Sequence, residues 1–226
     1  MDYPIPDLRL MSEWQAAVDS LRAHCDIDHA QIRMALPTSF DVLVASRGGA
    51  SDLQAGTSER RHGSHYCDDV LDQRAPLFIA DASGDAHWDG VAERCAGWLA
   101  YCGTPLIWPD EEVFGTLDLL AREPIAEARA REHLQLLTSL GNGMNAQLAL
   151  LYREQQRAYE ATHDRLTGMF NGNKFRELIK AQIEGNRHAD QGLWLMMWRI
   201  DDLGTIERLS SHEELRHILR GMAERS

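Results

Sequence analysis

Residues 101–120 read YCGTPLIWPDEEVFGTLDLL, and this stretch decides the fold. Two apolar runs, Tyr101 to Trp108 and Val113 to Leu120, flank the polar Pro109-Asp110-Glu111-Glu112. Short apolar runs on either side of a turn-forming cluster predict a β-hairpin. An isolated hairpin is marginal in water, so more strands and a covering layer are expected around it.

Upstream of the hairpin, Pro76-Leu77-Phe78-Ile79-Ala80 predicts a buried strand that ends at Asp81. Ser64 to Gln73 predicts a short helix, and Trp88 to Leu99 a second helix or an irregular helical segment. Ala30 to Leu36 and Phe40 to Ala45 predict two strands joined around Pro37-Thr38-Ser39 and ended by Gly48-Gly49, and the polar stretch from Ala50 to Gly63 predicts a loop. Leu8, Met11, Trp14, Val18, Leu21 and Cys25 recur at gaps of three and four, the spacing of an amphipathic helix. Helices and strands in this order predict an α+β fold, an antiparallel sheet with flanking helices.

Downstream, Ile125 to about Arg165 carries one long helical pattern. Its apolar positions Leu137, Leu140, Met144, Leu148 and Leu151 give way to Gln155, Ala158 and Thr162 at the same gaps. Heptad-like spacing predicts a helical connector that pairs with its copy in a homodimer; the alternative is a long helix packed on its own domain. Gly141 and Gly143 interrupt the pattern, each at about 1 kcal/mol in a helix interior.

The chain has 226 residues, 44% of them hydrophobic, and a net charge of −12. Such an acidic balance argues against nucleic acid and anionic membrane as partners, because both are bound by lysine and arginine. Residues 1–123 carry nine arginines against 21 acids, residues 124–165 five of each sign, and residues 166–226 nine of each. The charge therefore divides the chain as the patterns do: a domain over 1–123, a connector over 124–165 and a third segment over 166–226. Cys25, Cys67, Cys95 and Cys102 form no C-x-x-C pair, so reduced thiols are expected rather than a zinc site or disulfide framework. No apolar run approaches the roughly 20 residues of a membrane span and the start lacks the pattern of a signal peptide, so a cytoplasmic location is expected.

The hairpin run Gly103 to Leu117 resembles the end of a GAF domain, where paired strands close a small-molecule pocket. Tyr66-Cys67-Asp68-Asp69-Val70 and Pro76 to Ala82 resemble the helix and strand that precede it, so the resemblance spans about residues 8–123. It implies a GAF-like sensor domain of a cytoplasmic signalling protein, with an unidentified small-molecule ligand. The implied pocket is lined from Tyr66 to Trp108, with Tyr66, Cys67, Trp88, Trp98, Tyr101 and Trp108 as candidate ligand contacts. Ring faces there suit a flat or cationic molecule, although each single ring is more at home in a domain core. His62, His65 and His87 lack a third ligand or an acidic supporting pattern, so structural or surface histidines are expected, with no metal or haem.

His163-Asp164-Arg165-Leu166-Thr167-Gly168-Met169-Phe170-Asn171, with Phe175 beyond, resembles the opening of a GGDEF domain, the diguanylate cyclase that makes cyclic di-GMP from two GTP. The resemblance implies that residues 166–226 are the N-terminal part of a partial GGDEF α/β fragment. Lys174 to Ile183 would then be its first helix and Leu193 to Ile200 its first strand. In that family the strand ends with an aspartate that holds magnesium, followed by an asparagine and an aspartate that read guanine. Those positions here are Arg199, Glu207 and Arg208, and arginine cannot ligate a cation. The Gly-Gly-Asp/Glu-Glu-Phe signature occurs nowhere in the chain, so no catalytic residues are expected, and magnesium and GTP are expected only for an intact family member.

Two enzyme readings stand beside this one. The chain is a fragment of a diguanylate cyclase, or a GAF-type free methionine sulfoxide reductase with Cys67, Cys95 and Cys102 near its pocket. In the reductases the run after the middle cysteine is acidic and serine-rich, whereas here it is Ala96-Gly97-Trp98, and Cys102 sits inside a predicted strand; packed thiols are the expected state. The apolar run Leu193 to Ile200 has no partner strand in sequence, so it needs cover from a dimer mate or further chain.

Overall fold

The computed structural model describes residues 3–48, 53–61, 65–186, 194–197, 201, 203–204, 208 and 211–223. It divides into two compact units, residues 1–152 and 153–226.

In the first unit the predicted N-terminal helix is α1, Leu8–Cys25. Asp7 caps it by accepting from the Leu10 amide at 2.8 Å, and Asp26, in the left-handed region, ends it. The strands are β1 (His29–Ala35), β2 (Ser39–Ala45), β3 (Ser58–Arg60), β4 (Leu77–Ile79), β5 (Ala100–Ile107) and β6 (Val113–Ala121). They form one sheet in the order β3-β2-β1-β6-β5-β4, antiparallel throughout. The α+β class and the hairpin therefore stand as the sequence indicates. One detail differs. β3 lies in the stretch read as loop, where Ser58-Glu59-Arg60 has no apolar signal and is held by backbone pairing to β2. Of the two forms read for Trp88 to Leu99 the irregular one is found: a 3-10 turn, Ala86–Trp88, and a four-residue helix, α3 (Ala92–Cys95), separated by Gly90 at φ 83°.

One face of the sheet is apolar. Ala30, Ile32, Ala100, Cys102, Leu106, Leu117, Leu119 and Ala121 pack there with Trp14, Val18, Leu21 and Cys25 of α1. The same core takes Ala130, Leu137, Met144 and Leu148 of α4, the long helix Glu127–Thr162. The first part of the connector is thus a layer of the sheet's own domain. Gly141, an interruption by sequence, is what lets α4 come close: a Cβ there would fall 2.7 Å from Thr104 Cγ2 on β5. At Gly143 a Cβ would meet nothing within 4 Å among the described residues. The other face of the sheet is covered by α2 (Tyr66–Gln73) and α3, and it holds the site described below.

In the second unit the His163 to Asn171 motif makes a closed turn. Asp164 accepts from the amides of Leu166 and Thr167 and from the Thr167 hydroxyl, and Gly168 supplies φ 75°. Asn171 donates to Glu160 and Ala161 carbonyls at the end of α4 and accepts from the Asn173 and Lys174 amides at the start of α5 (Gly172–Asn186). The predicted helix Lys174 to Ile183 is contained in α5. A last helix, α6, spans His212–Ala223. Of the predicted strand Leu193 to Ile200, residues 194–197 lie in neither helix nor strand, and the rest, with Arg199 and Glu207, falls outside the described residues.

Candidate functional site

β1 reads His29-Ala30-Gln31-Ile32-Arg33 and alternates strictly, as a strand with one wet face would. Its polar face is not wet. His29 and Gln31 have no exposed surface and Arg33 has 1%. Antiparallel register sets Asp118 of β6 opposite Gln31 and Thr116 opposite Arg33, and sets Gly103 of β5 opposite Asp118.

Arg33 is the centre of the site. Its Nε donates to Asp118 Oδ2 at 2.9 Å and its Nη1 to Glu93 Oε1 at 2.9 Å, with Glu59 Oε2 3.7 Å from Nη1. Asp118 also accepts from the Tyr101 hydroxyl at 2.7 Å and the Thr116 hydroxyl at 3.0 Å. Tyr101 reaches it by lying along its own strand over Gly103, where a Cβ would be 2.0 Å from the phenolic oxygen. Glu93, on α3, accepts from His65 Nδ1 at 3.1 Å and from the Tyr66 amide at 3.2 Å. It thereby ties α3 to the start of α2, where the Asp68 carboxylate accepts from the His65 amide.

Burial alone would raise the Glu93 carboxyl; the hydrogen bond from His65 and the charge of Arg33 outweigh it and hold it at about 2. Burial opposes the charge of Arg33, and Asp118 and Glu93 more than restore it. The bond to Glu93 raises His65 against burial, whereas burial lowers His29. The cluster is therefore a buried guanidinium between two carboxylates, one cation against two anions.

Three side chains along β1 keep a buried polar atom without a partner among the described residues: His29 Nδ1, Gln31 Nε2 and Arg33 Nη2. His29 Nε2 is used, 3.3 Å from Gln31 Oε1. Buried polar groups in native proteins are nearly always paired, so neighbouring exceptions on one strand face call for a partner.

The structure brings Tyr66, Trp98 and Tyr101 into one buried cluster on this face, with Trp88 packed against it. Cys67 lies beside Phe40 and Leu71 next to it. Trp108 sits elsewhere, in the core on the face covered by α1 and α4, stacked on Tyr3. Of the histidines read from sequence, His65 is part of the Glu93 network, His87 is exposed beside Asp69, and His62 lies outside the described residues. Sequence reasoning missed His29, Gln31, Arg33, Glu93 and Asp118. The thiols of Cys67, Cys95 and Cys102 do not converge: Cys102 faces α4, donating to the Ala130 carbonyl at 3.6 Å, Cys67, on α2, packs against Phe40 of β2, and Cys95 is exposed. Burial pushes Cys67 upward and Cys102 to about 12.

A family model described as GAF domain matches residues 11–148, more than half of the chain. The chain belongs to the GAF domain family. The match includes the first part of α4, and the GGDEF resemblance beyond it rests on the sequence motif alone. No curated protein matches the chain. Among solved structures, the phycoerythrobilin-bound GAF domain from a cyanobacterial phytochrome is similar at 16% identity, over 66% of this chain and 89% of that one, with a TM-score of 0.55. The type II free methionine-R-sulfoxide reductase from Thermoplasma acidophilum is similar at 14% identity, over 63% and 94%, with a TM-score of 0.50. At these identities the likeness is one of fold. Among the described residues no helix is long and apolar enough to cross a membrane.

Proposed function

We propose that this GAF domain senses a small molecule on the face of the sheet covered by α2 and α3. Its ligand is recognised by the β1 stripe and walled by Tyr66, Cys67, Trp88, Trp98 and Tyr101. The observation that carries the reading is the unpaired Arg33 Nη2 on a guanidinium that is otherwise held by Asp118 and Glu93. A purely structural buried ion pair gains nothing from an unused donor. The output is α4, which leaves the sensor and enters the closed turn at His163 to Asn171. Its exposed Leu136 and Leu150 support pairing with a second copy in the cytoplasm.

In this reading residues 166–226 are a degenerate, partial GGDEF segment without cyclase activity, because Arg199, Glu207 and Arg208 stand where metal and guanine contacts belong. Incubation with GTP and magnesium is expected to yield no cyclic di-GMP; turnover would make the chain a diguanylate cyclase fragment instead. The separation of Cys67 and Cys102 on opposite faces of the sheet weighs against the reductase alternative.

A further inference from the structure

From Gln135 to Tyr152 the helix α4 has no acidic or basic residue, in a chain with a net charge of −12. Leu136, Ser139, Gly143, Ala146 and Leu150 recur there at gaps of three and four, so they share one helix face, and all five are exposed, Leu136 by 40% and Leu150 by 57%. Beside this face an open groove of about 620 Å³ runs between α1 and α4, lined by Ala17, Ser20 and Leu21 of α1 and Ser139, Leu140 and Gly143 of α4, with His24 as the ionisable residue of the lining. A charged partner would find no counter-charge in it, so the groove suits an uncharged, apolar occupant. An apolar knob of that kind stands on the same face. Leu150 lies eleven residues beyond Ser139, three helical turns and roughly 16 Å along α4.

We propose that the occupant is a second copy of this chain, with the two α4 helices antiparallel and Leu150 of each copy seated in the groove of the other. This rests on the pairing of α4 proposed above and fixes its direction. A knob and a hole set apart along one helix fill each other in both copies only when a two-fold axis crosses that helix. Parallel helices would set Leu150 against Leu150 and leave both grooves empty. In the antiparallel arrangement the axis passes between Gly143 and Ala146, where small side chains let the helices approach closely. Two acidic chains repel one another, and the uncharged stretch of α4 is where contact costs least.

The test uses the full chain carrying Cys95→Ser, which keeps only the buried Cys25, Cys67 and Cys102. Ser139→Cys and Leu150→Cys are made in this background and oxidised alone and as a mixture; covalent dimer is read on non-reducing gels, and sedimentation of the Cys95→Ser chain gives its oligomeric state. Antiparallel seating puts position 139 of one copy against position 150 of the other and holds like positions roughly 16 Å apart along the helix, beyond disulfide reach. The mixture is therefore expected to give at least about tenfold more covalent dimer than either variant alone. Each variant linking to itself means parallel helices, which overturns the seating and leaves the pairing of α4 standing. Growth past a dimer in sedimentation means a head-to-tail array and overturns the two-fold. A dimer in which no combination links has its interface on another face, and a chain that stays monomeric at every concentration overturns the pairing itself.

Discussion

Replacing Arg33 by methionine keeps the length of the side chain and removes its charge, and the structure sets the size and pH dependence of the result. Two ion pairs of 2.9 Å are lost, and both stranded carboxylates stay buried. Breaking a buried pair from one side costs about 3–5 kcal/mol. Asp118 keeps the hydroxyls of Tyr101 and Thr116, and Glu93 keeps His65 and the Tyr66 amide, which favours the lower end. At about 2–4 °C per kcal/mol for a unit of this size, the melting temperature at pH 8 should fall by roughly 6–20 °C. Glu93 sits at about 2 in the folded protein against an ordinary 4.5, so its contribution is full above pH 4.5 and is lost as pH falls toward 2. The variant lacks the part of that contribution that Arg33 supplies, so its melting temperature depends less on acid and the gap to wild type narrows between pH 8 and pH 3.5. Adding Glu93→Gln and Asp118→Asn to Arg33→Met should recover part of the loss. Calorimetric melts across this range decide the matter. A drop at pH 8 of less than about 2 °C, or a gap that does not change with pH, refutes the buried ion cluster as the centre of this face.

Gly141→Ala and Gly143→Ala should diverge. The second gains roughly 0.5–1 kcal/mol of helix propensity, and the first forfeits that gain to the Thr104 contact, so equal melting temperatures would remove the close approach of α4 to β5. With an aromatic disulfide reagent at pH 8, native protein should show one fast thiol, Cys95, and denatured protein all four; rapid labelling of Cys67 would reopen thiol chemistry on the face covered by α2 and α3. His65 is raised above its usual 6.5 by Glu93, so its stabilisation is complete below that value and fades as pH rises through the folded one. The excess stability of wild type over His65→Gln should therefore be larger at pH 6 than at pH 9, and an unchanged difference would detach His65 from Glu93. Leu150→Lys should lower the dimer fraction in sedimentation without lowering the melting temperature of the sensor, and an unaltered sedimentation profile would exclude this face of α4 from pairing.

The elements were legible because their signals are local. The 3.6-residue spacing of Trp14, Val18, Leu21 and Cys25 and the Pro109 to Glu112 turn each declare an element without reference to the rest of the chain. The site was not legible for the same reason. His29-Ala30-Gln31-Ile32-Arg33 has the alternation of a strand with one face in water, and nothing within those five residues says that a second layer covers the polar side. That cover comes from α2 and α3, about 30 and 60 residues later, and α3 has too few residues to register as a periodic pattern. Glu93 in isolation reads as one more surface acid of an acidic domain; only the fold places it 2.9 Å from a guanidinium. The aromatic residues were found because burial and binding favour the same side chains, which is also why they discriminate poorly: Trp108 carries the same signal as Trp98 and lies on the opposite face. The signal that could have found the site is combinatorial. Once helical segments are predicted on both sides of a short sheet, every polar residue in a central strand becomes a buried polar residue, and β1, flanked by β2 and β6, supplies three in alternating positions. A charge read as solubility in sequence becomes, under a second layer, a statement about what the layer encloses.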